Sequence, residues 1–149
     1  AHGSTCDVEH WTDLRERSFG DWEGEPYQEV HQRLRSAAAE AGLSEFEVRP
    51  PGGESLRDLW NRTARVLSSL PTDSESLAIV THGGVCAHLL AHCLAGTIES
   101  TKSFRFENTA VTTLERRPDG IFRLLSFGDT SHLQAPSAPM IDAQSFPNR

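Results

Sequence analysis

Two short segments of the sequence carry side chains suited to acid–base chemistry on an anionic substrate. The first is THGG (residues 81–84), which follows an apolar run at residues 77–80 and precedes an apolar pattern at helical spacing. A histidine there is expected beyond the carboxyl end of a strand, where open α/β sheets bind ligands. The glycines admit a ligand to the backbone, and the free N–H groups of a helix start bind anions. The pattern predicts a phosphate-binding corner, although a histidine bonded within a turn fits it equally well.

The second segment, DLRERSFGDWEG (residues 13–24), places Glu16 between two arginines in a glycine-punctuated loop. A carboxyl group near a leaving-group oxygen can act as general acid or base when its environment suits its pKa. Considered alone, Glu16 is better interpreted as a solvated surface charge. Paired with His82 it becomes a candidate for proton transfer. Arg62 and Arg105 are interpreted as exposed charges and left out of the predicted site.

Two further groups of side chains invite a functional interpretation that the sequence does not favour. His88 and His92 are four residues apart, a spacing at which two imidazoles can share a metal. The zinc-protease pattern needs Glu after the first His, and Leu89 stands there. Both histidines are therefore predicted to be partly exposed helix residues, and Trp22 and Trp60 are predicted to pack in the core.

Composition excludes several classes of protein. The chain has 149 residues, which suits one domain, and a net charge of −7 with no more than two adjacent basic residues. A nucleic-acid surface is therefore not expected. No apolar window is long enough to predict a membrane span. Three cysteines without CxxC spacing favour reduced thiols and a cytoplasmic protein.

Three helices are predicted from apolar periodicity and from the residues that begin and end each periodic segment. The first begins with Pro26 as its first residue and ends at Gly42, and its buried stripe is Tyr27, Val30, Leu34 and Ala38. The second runs from about residue 55 to residue 70, and the third from 85 to 95.

Strands are predicted between these helices and after them. Residues 76–81 have the pattern of a fully buried strand, residues 6–11 of a weak one, and a hairpin is predicted around the turn at 117–120. Alternation of strands and helices predicts an α/β sandwich within one domain at residues 1–134. Residues 135–149 contain three prolines and little periodicity, which predicts a flexible tail.

Five segments, in this order, resemble the histidine phosphatase superfamily of phosphoglycerate mutase-like enzymes: LRERSFGDWEG, PPGGESL, AIVTHGGV, FENTAVTTL and GDTSHL. The similarity runs from about Asp7 to Leu133. LRERSFG followed by PPGGES is most similar to the TIGAR-type branch, which is associated with fructose-2,6-bisphosphatase activity. The resemblance implies a three-layer α/β/α sandwich around a mostly parallel sheet. It also implies hydrolysis of a small phosphate ester, such as a sugar bisphosphate, through a phosphohistidine.

The resemblance also implies roles for individual residues. Glu16 matches the proton donor and acceptor, and His82 matches the histidine that stabilises charge on the transferring phosphoryl group. Arg17, Gly83 and Asn108 are expected to contact the substrate. Histidine, arginine and backbone donors supply the charge stabilisation, so neither a metal nor another cofactor is expected. A homo-oligomer is compatible with this interpretation.

The Arg-His-Gly signature, whose histidine is the family's nucleophile, does not occur in the sequence. AHGST at residues 1–5 resembles it, but His2 has no preceding strand and a fraying terminus would not hold a nucleophile in line. We therefore expect an N-terminally truncated member of the family. The alternative function is a catalytically inactive pseudophosphatase that binds a phosphate ligand or a protein.

Overall fold

The first helix, α1, spans Tyr27–Ala41 in a computed structural model that describes residues 7–72 and 76–133. The predicted end at Gly42 is confirmed, in the left-handed conformation at φ 63°, whereas Pro26, predicted as the first helical residue, is the N-cap. Val30, Leu34 and Ala38 are buried against Val48. Tyr27 is exposed instead, so the predicted stripe is wrong in the first turn.

The second helix, α2, spans Leu56–Ser69 and begins with a capping box. The Ser55 hydroxyl accepts a hydrogen bond from the Asp58 N–H, and the Asp58 carboxylate accepts one from the Ser55 N–H. Its buried face carries Leu59 and Val66 but also Arg62. The prediction of Arg62 as an exposed charge is wrong, because its guanidinium is buried and donates to the Asp13 carbonyl and the Glu54 carboxylate in two neighbouring loops.

The third helix, α3, spans Gly83–Cys93 and begins two residues earlier than predicted, with His82 as its N-cap. It packs on α2 through Val85 and Leu89, which share a core cluster with Leu59 and Val66. His88 is 3% exposed, which overturns its prediction as a partly exposed residue. Within residues 7–72 and 76–133, no helix is long and apolar enough to cross a membrane.

The predicted hairpin is confirmed. Strands β1, Val111–Arg116, and β2, Phe122–Asp129, pair antiparallel around the turn that begins at Arg117. The Gly120 N–H donates to the Arg117 carbonyl at 2.9 Å, as expected for a tight turn.

The predicted buried strand at residues 76–81 is not found, and neither is the weak strand over residues 7–11. Val80 is 93% exposed, since a parallel strand is buried only when other strands lie beside it. Among the described residues, the one sheet is the antiparallel hairpin, so the mostly parallel sheet of the predicted sandwich is not found there. His2 and the predicted tail at 135–149 lie outside the described residues.

Candidate active site

Two glycine-rich loops meet backbone to backbone at the centre of the site. The Asp21 N–H donates to the Pro51 carbonyl at 2.9 Å, and the Glu54 N–H donates to the Ser18 carbonyl at 2.8 Å. A Cβ atom on Gly53 would lie 2.8 Å from the Ser18 carbonyl oxygen, closer than real contacts allow. Residues 16–24 and 50–55 therefore pack as one unit. A side chain larger than that of glycine at position 53 would force the two loops apart.

Arg62 joins this unit to α2. Its Nη1 donates to the carbonyls of Asp13 at 2.6 Å and Arg15 at 2.9 Å. Its Nε and Nη2 donate to the two carboxylate oxygens of Glu54 at 3.0 Å and 2.9 Å. Burial acts to raise the pKa of Glu54, but hydrogen bonds from Arg62 and the Ser18 N–H outweigh it, and this pKa lies below its usual range.

The Glu16 carboxylate lies against the first turn of α3. Its Oε2 is 3.4 Å from the Gly84 nitrogen, a long hydrogen bond, and its Oε1 would lie only 2.6 Å from a Cβ on Gly84. A second link is made by the Thr81 hydroxyl, which donates to the Leu14 carbonyl at 2.5 Å. The two segments that the sequence singled out, residues 13–24 and 81–84, thus meet at the N-terminus of α3.

His82 stands at the same helix end, in extended conformation and exposed to solvent. Gly83 follows it, and a Cβ there would lie 4.0 Å from the Cβ of Phe106. Asn108 is two residues beyond Phe106, in an exposed turn closed by a bond from the Ala110 N–H. The structure therefore brings Glu16, His82 and Gly83 to one helix end. Within residues 7–72 and 76–133, Asn108 lies on a neighbouring turn and makes no hydrogen bond to them.

Arg17 presents a buried positive charge beside Glu16. It is 6% exposed, and its Nε donates to the Glu54 carbonyl at 2.8 Å. Within the described residues its Nη2 is buried without a hydrogen-bond partner. Burial lowers the pKa of the guanidinium, while Glu54 opposes that shift, and arginine keeps its charge at neutral pH. Glu16 and Arg17 line an open cleft of about 520 Å³ with Ser18 and Gly53.

Cysteine chemistry is not favoured at this helix end. Burial raises the pKa of the Cys86 thiol, and the negative charge of Glu16 raises it further. Burial also raises the pKa of Cys93 to about 11. Both groups are protonated at neutral pH, whereas a nucleophilic cysteine must be a thiolate. In residues 7–72 and 76–133, no three acidic, histidine or cysteine side chains are grouped to hold a metal ion.

Sequence reasoning missed Arg62 and Glu54 as site residues, although a signal for each was present. Arg62 is three residues after Leu59 and four before Val66, which places it on the buried stripe of α2. Glu54 belongs to the PPGGES segment beside the loop it supports. A charged residue on an apolar stripe must find a partner, and Glu54 is the acidic residue that precedes this helix.

A family model described as "Histidine phosphatase superfamily (branch 1)" matches residues 1–130 of the chain. "Phosphoglycerate mutase-like protein 4" of Arabidopsis thaliana is 32% identical over 127 residues, which cover 82% of this chain and 53% of that protein. "6-phosphofructo-2-kinase/fructose-2,6-bisphosphatase" of Caenorhabditis elegans is 31% identical over 85 residues, covering 57% of this chain and 18% of that protein.

Among solved structures, the α-ribazole phosphatase of Shigella flexneri matches with a TM-score of 0.71 at 22% identity, over 83% of this chain and 61% of that one. At this identity the match shows an α/β fold of the same kind. The chain spans about half the length of the Arabidopsis relative and less than a fifth of the nematode one.

Proposed function

Because the chain belongs to the histidine phosphatase superfamily, we propose that it forms part of a phosphatase site for a small phosphate ester, with Glu16 and His82 as its catalytic residues. The contact of the Glu16 carboxylate with Gly84 carries this proposal, since it joins an acid–base group to an anion-binding helix end. The architecture proposed for the working enzyme is the three-layer α/β/α sandwich, and its proposed location is the cytoplasm.

Glu16 acts in this proposal as the proton donor to the leaving oxygen and later as the proton acceptor from water. Phosphoryl transfer spreads negative charge over the phosphoryl oxygens and the leaving oxygen, so a carboxylic acid beside the latter lowers the barrier. The Arg17 N–H donates to Glu16 Oε1 at 2.9 Å, and the Gly84 N–H approaches Oε2. These contacts support a fixed orientation of the group.

His82 and the start of α3 stabilise the charge of the transferring group. The helix end supplies backbone N–H donors and a partial positive charge, and the imidazole stands at its N-cap. The buried guanidinium of Arg17, with its Nη2 unpartnered among the described residues, adds a cation on the Glu16 loop. Gly83 and Asn108 are proposed to contact the substrate at the rim.

The covalent step that we propose needs a nucleophilic histidine. Its ring nitrogen bonds to phosphorus while the bond to the leaving oxygen breaks, and water then breaks the nitrogen–phosphorus bond. No Arg-His-Gly segment occurs in the sequence. We therefore propose that the 149-residue chain turns over slowly and that a longer form with such a segment would complete the site.

The proposed substrate is a sugar bisphosphate such as fructose 2,6-bisphosphate, in line with a TIGAR-type branch. The similarity to the nematode 6-phosphofructo-2-kinase/fructose-2,6-bisphosphatase supports this choice. Arg15 and Arg17, on the two sides of Glu16, offer positive charge to a second anionic group. The Shigella flexneri structure is that of an α-ribazole phosphatase, which makes an α-ribazole phosphate ester the competing substrate to assay.

A second candidate function is a pseudophosphatase that binds a phosphate ligand without turning it over. The buried guanidinium of Arg17, whose Nη2 has no hydrogen-bond partner among the described residues, supports anion binding of this kind. In that case the Glu16 and Arg17 cleft binds phosphate esters, and addition of excess ligand raises the melting temperature, more so for esters that bind more tightly.

The deciding experiment assays the chain with fructose 2,6-bisphosphate and an aryl phosphate, beside Glu16→Gln and His82→Ala. We expect each variant to lose about 10²-fold or more in kcat, because each removes a transition-state interaction. The Glu16→Gln variant should also lose one limb of the pH–rate profile. Glu40→Gln and His10→Ala, both at exposed positions, serve as matched controls. Equal turnover in all five proteins contradicts the assignment, and ligand binding without turnover selects the pseudophosphatase.

A further inference from the structure

We propose that Arg62 and Glu54 are positioning residues that hold the Glu16 carboxylate at the N-terminus of α3. The inference rests on the proposed function for the role of Glu16 in proton transfer. The placement of the carboxylate is a separate matter, which can be tested without turnover. Neither residue is required to touch the substrate in this proposal.

The first argument is the set of hydrogen bonds that the buried Arg62 guanidinium donates. The residue is 4% exposed, and a buried charge is retained only when its donors are satisfied. Its Nη1 bonds to the carbonyls of Asp13 and Arg15, and Nη2 lies 3.5 Å from the carbonyl of Glu16. One rigid side chain on a packed helix thus contacts three carbonyls of the loop that carries Glu16. Lysine has the charge but not the planar fork that makes these bonds together.

The second argument is that Glu54 holds the same loop on the other side of Glu16. Its carboxylate accepts both bonds from Arg62 and a third from the Ser18 N–H at 3.1 Å. Its backbone N–H donates to the Ser18 carbonyl, and its carbonyl accepts from Arg17 Nε. Arg62 therefore fixes the loop before Glu16, and Glu54 fixes it immediately after.

The third argument is the close approach of the exposed Glu16 carboxylate to Gly84. Its carboxylate sits where Gly84 leaves no Cβ, within 3.4 Å of an N–H group at the start of α3. A shift of the loop by about 1 Å would break this long hydrogen bond, and misplacement on that scale costs about 10²-fold in rate. Rigid support from α2 is what such a placement requires.

The primary test follows the Gly84 amide by NMR during a pH titration. In the native chain the amide chemical shift should follow ionisation of Glu16, and Glu16→Gln should abolish this response. We expect Arg62→Lys, and separately the isosteric Glu54→Gln, to reduce the response to that of Glu16→Gln at a temperature where the variants remain folded. Arg65→Lys, an exposed change on the same helix, is the matched control and should keep the native response.

The second readout is kinetic and separates positioning from general stability. Arg62→Lys should lower kcat for an aryl phosphate by about 10²-fold with KM unchanged. In a Glu16→Gln background the same change should cause no further loss, because its effect passes through Glu16.

The outcomes distinguish the two proposals. A native chain without turnover but with a Gly84 response that both variants abolish sinks the proposed phosphatase and retains the positioning role. A native Gly84 response in both variants, or an equal loss of kcat with and without Glu16, overturns the positioning role. Failure of both variants to fold also counts against it, since the pair would then support the fold as a whole.

Discussion

At the scale of single residues, the absence of a side chain at Gly84 is as important as the carboxylate it faces. The Glu16 carboxylate occupies the space that a Cβ at position 84 would need, with Oε1 at 2.6 Å. Gly83 differs, since a Cβ there would meet Phe106 at an ordinary contact distance of 4.0 Å. Substitution of Gly84 therefore tests the contact with Glu16, and substitution of Gly83 tests the effect of removing a glycine on helix stability alone.

We expect Gly84→Ala to displace the Glu16 carboxylate while leaving the fold intact. The new methyl group must push out the flexible end of Glu16, whereas alanine is favoured over glycine in a helix by up to about 1 kcal/mol. The residue-84 amide should stop responding to Glu16 ionisation in an NMR titration, and the melting temperature should stay level or rise. Gly83→Ala should keep the amide response. A titrating amide in Gly84→Ala would contradict the close contact.

At the scale of secondary-structure elements, the helices and the hairpin could be predicted because their signals are local. Pro26 and Gly42 mark the two ends of α1, and a Pro-Asp-Gly turn connects the two strands of the hairpin. The polar residues on buried faces could not be assigned in the same way. Whether Arg62 or His88 points to solvent depends on the partner that tertiary packing brings, and periodicity does not contain that information.

His88 shows how α3 depends on a neutral buried group. Its Nδ1 is 2.8 Å from the Gly84 carbonyl, and its Nε2 is buried without a hydrogen-bond partner among the described residues. Burial lowers the pKa of His88. The bond to Gly84 and the charge of Glu16 act against that shift, while His92 and Arg17 add to it. Burial likewise lowers the pKa of His92, which stacks on Trp60 at 3.6 Å between ring centroids.

The lowered pKa values of His88 and His92 predict that acid destabilises the protein over a defined pH range. Below about pH 6.5 the unfolded chain takes up protons that folded His88 and His92 resist. The free energy of unfolding should therefore be fully retained above that pH and fall below it, by up to about 1.4 kcal/mol per pH unit for each histidine, until the folded groups titrate. Urea unfolding at about pH 7.5 and about pH 5.5 measures this slope.

Substitution of one histidine assigns the slope to the buried site. His88→Leu should remove its share of the pH dependence and leave that of His92. His10→Gln, at an exposed position, should leave the slope unchanged. An identical slope in His88→Leu and the native chain would show that His88 already titrates normally in the folded protein.

At the scale of the whole molecule, the candidate site could be predicted better than the sheet. The sequence pairs Glu16 with His82 because each lies in a segment rich in glycine. In the structure, residues 13–24 contact the start of α3 through Leu14 and Glu16. The segment at 76–81 has the composition of a buried strand, but burial depends on neighbouring strands that no local pattern specifies. Leu77 is 53% exposed and Val80 is almost fully so.

This uncovered apolar segment predicts that the 149-residue chain self-associates. Contiguous exposed apolar residues favour contact with another chain, and an extended segment offers free backbone groups for pairing. The apparent mass should therefore rise with concentration in sedimentation velocity, and Leu77→Asp should shift the chain toward the monomer. Leu43→Asp is a matched control, since Leu43 is also 53% exposed but follows α1. A native chain that stays monomeric at all concentrations, or equal effects of the two substitutions, would exclude residues 76–81 as the associating surface.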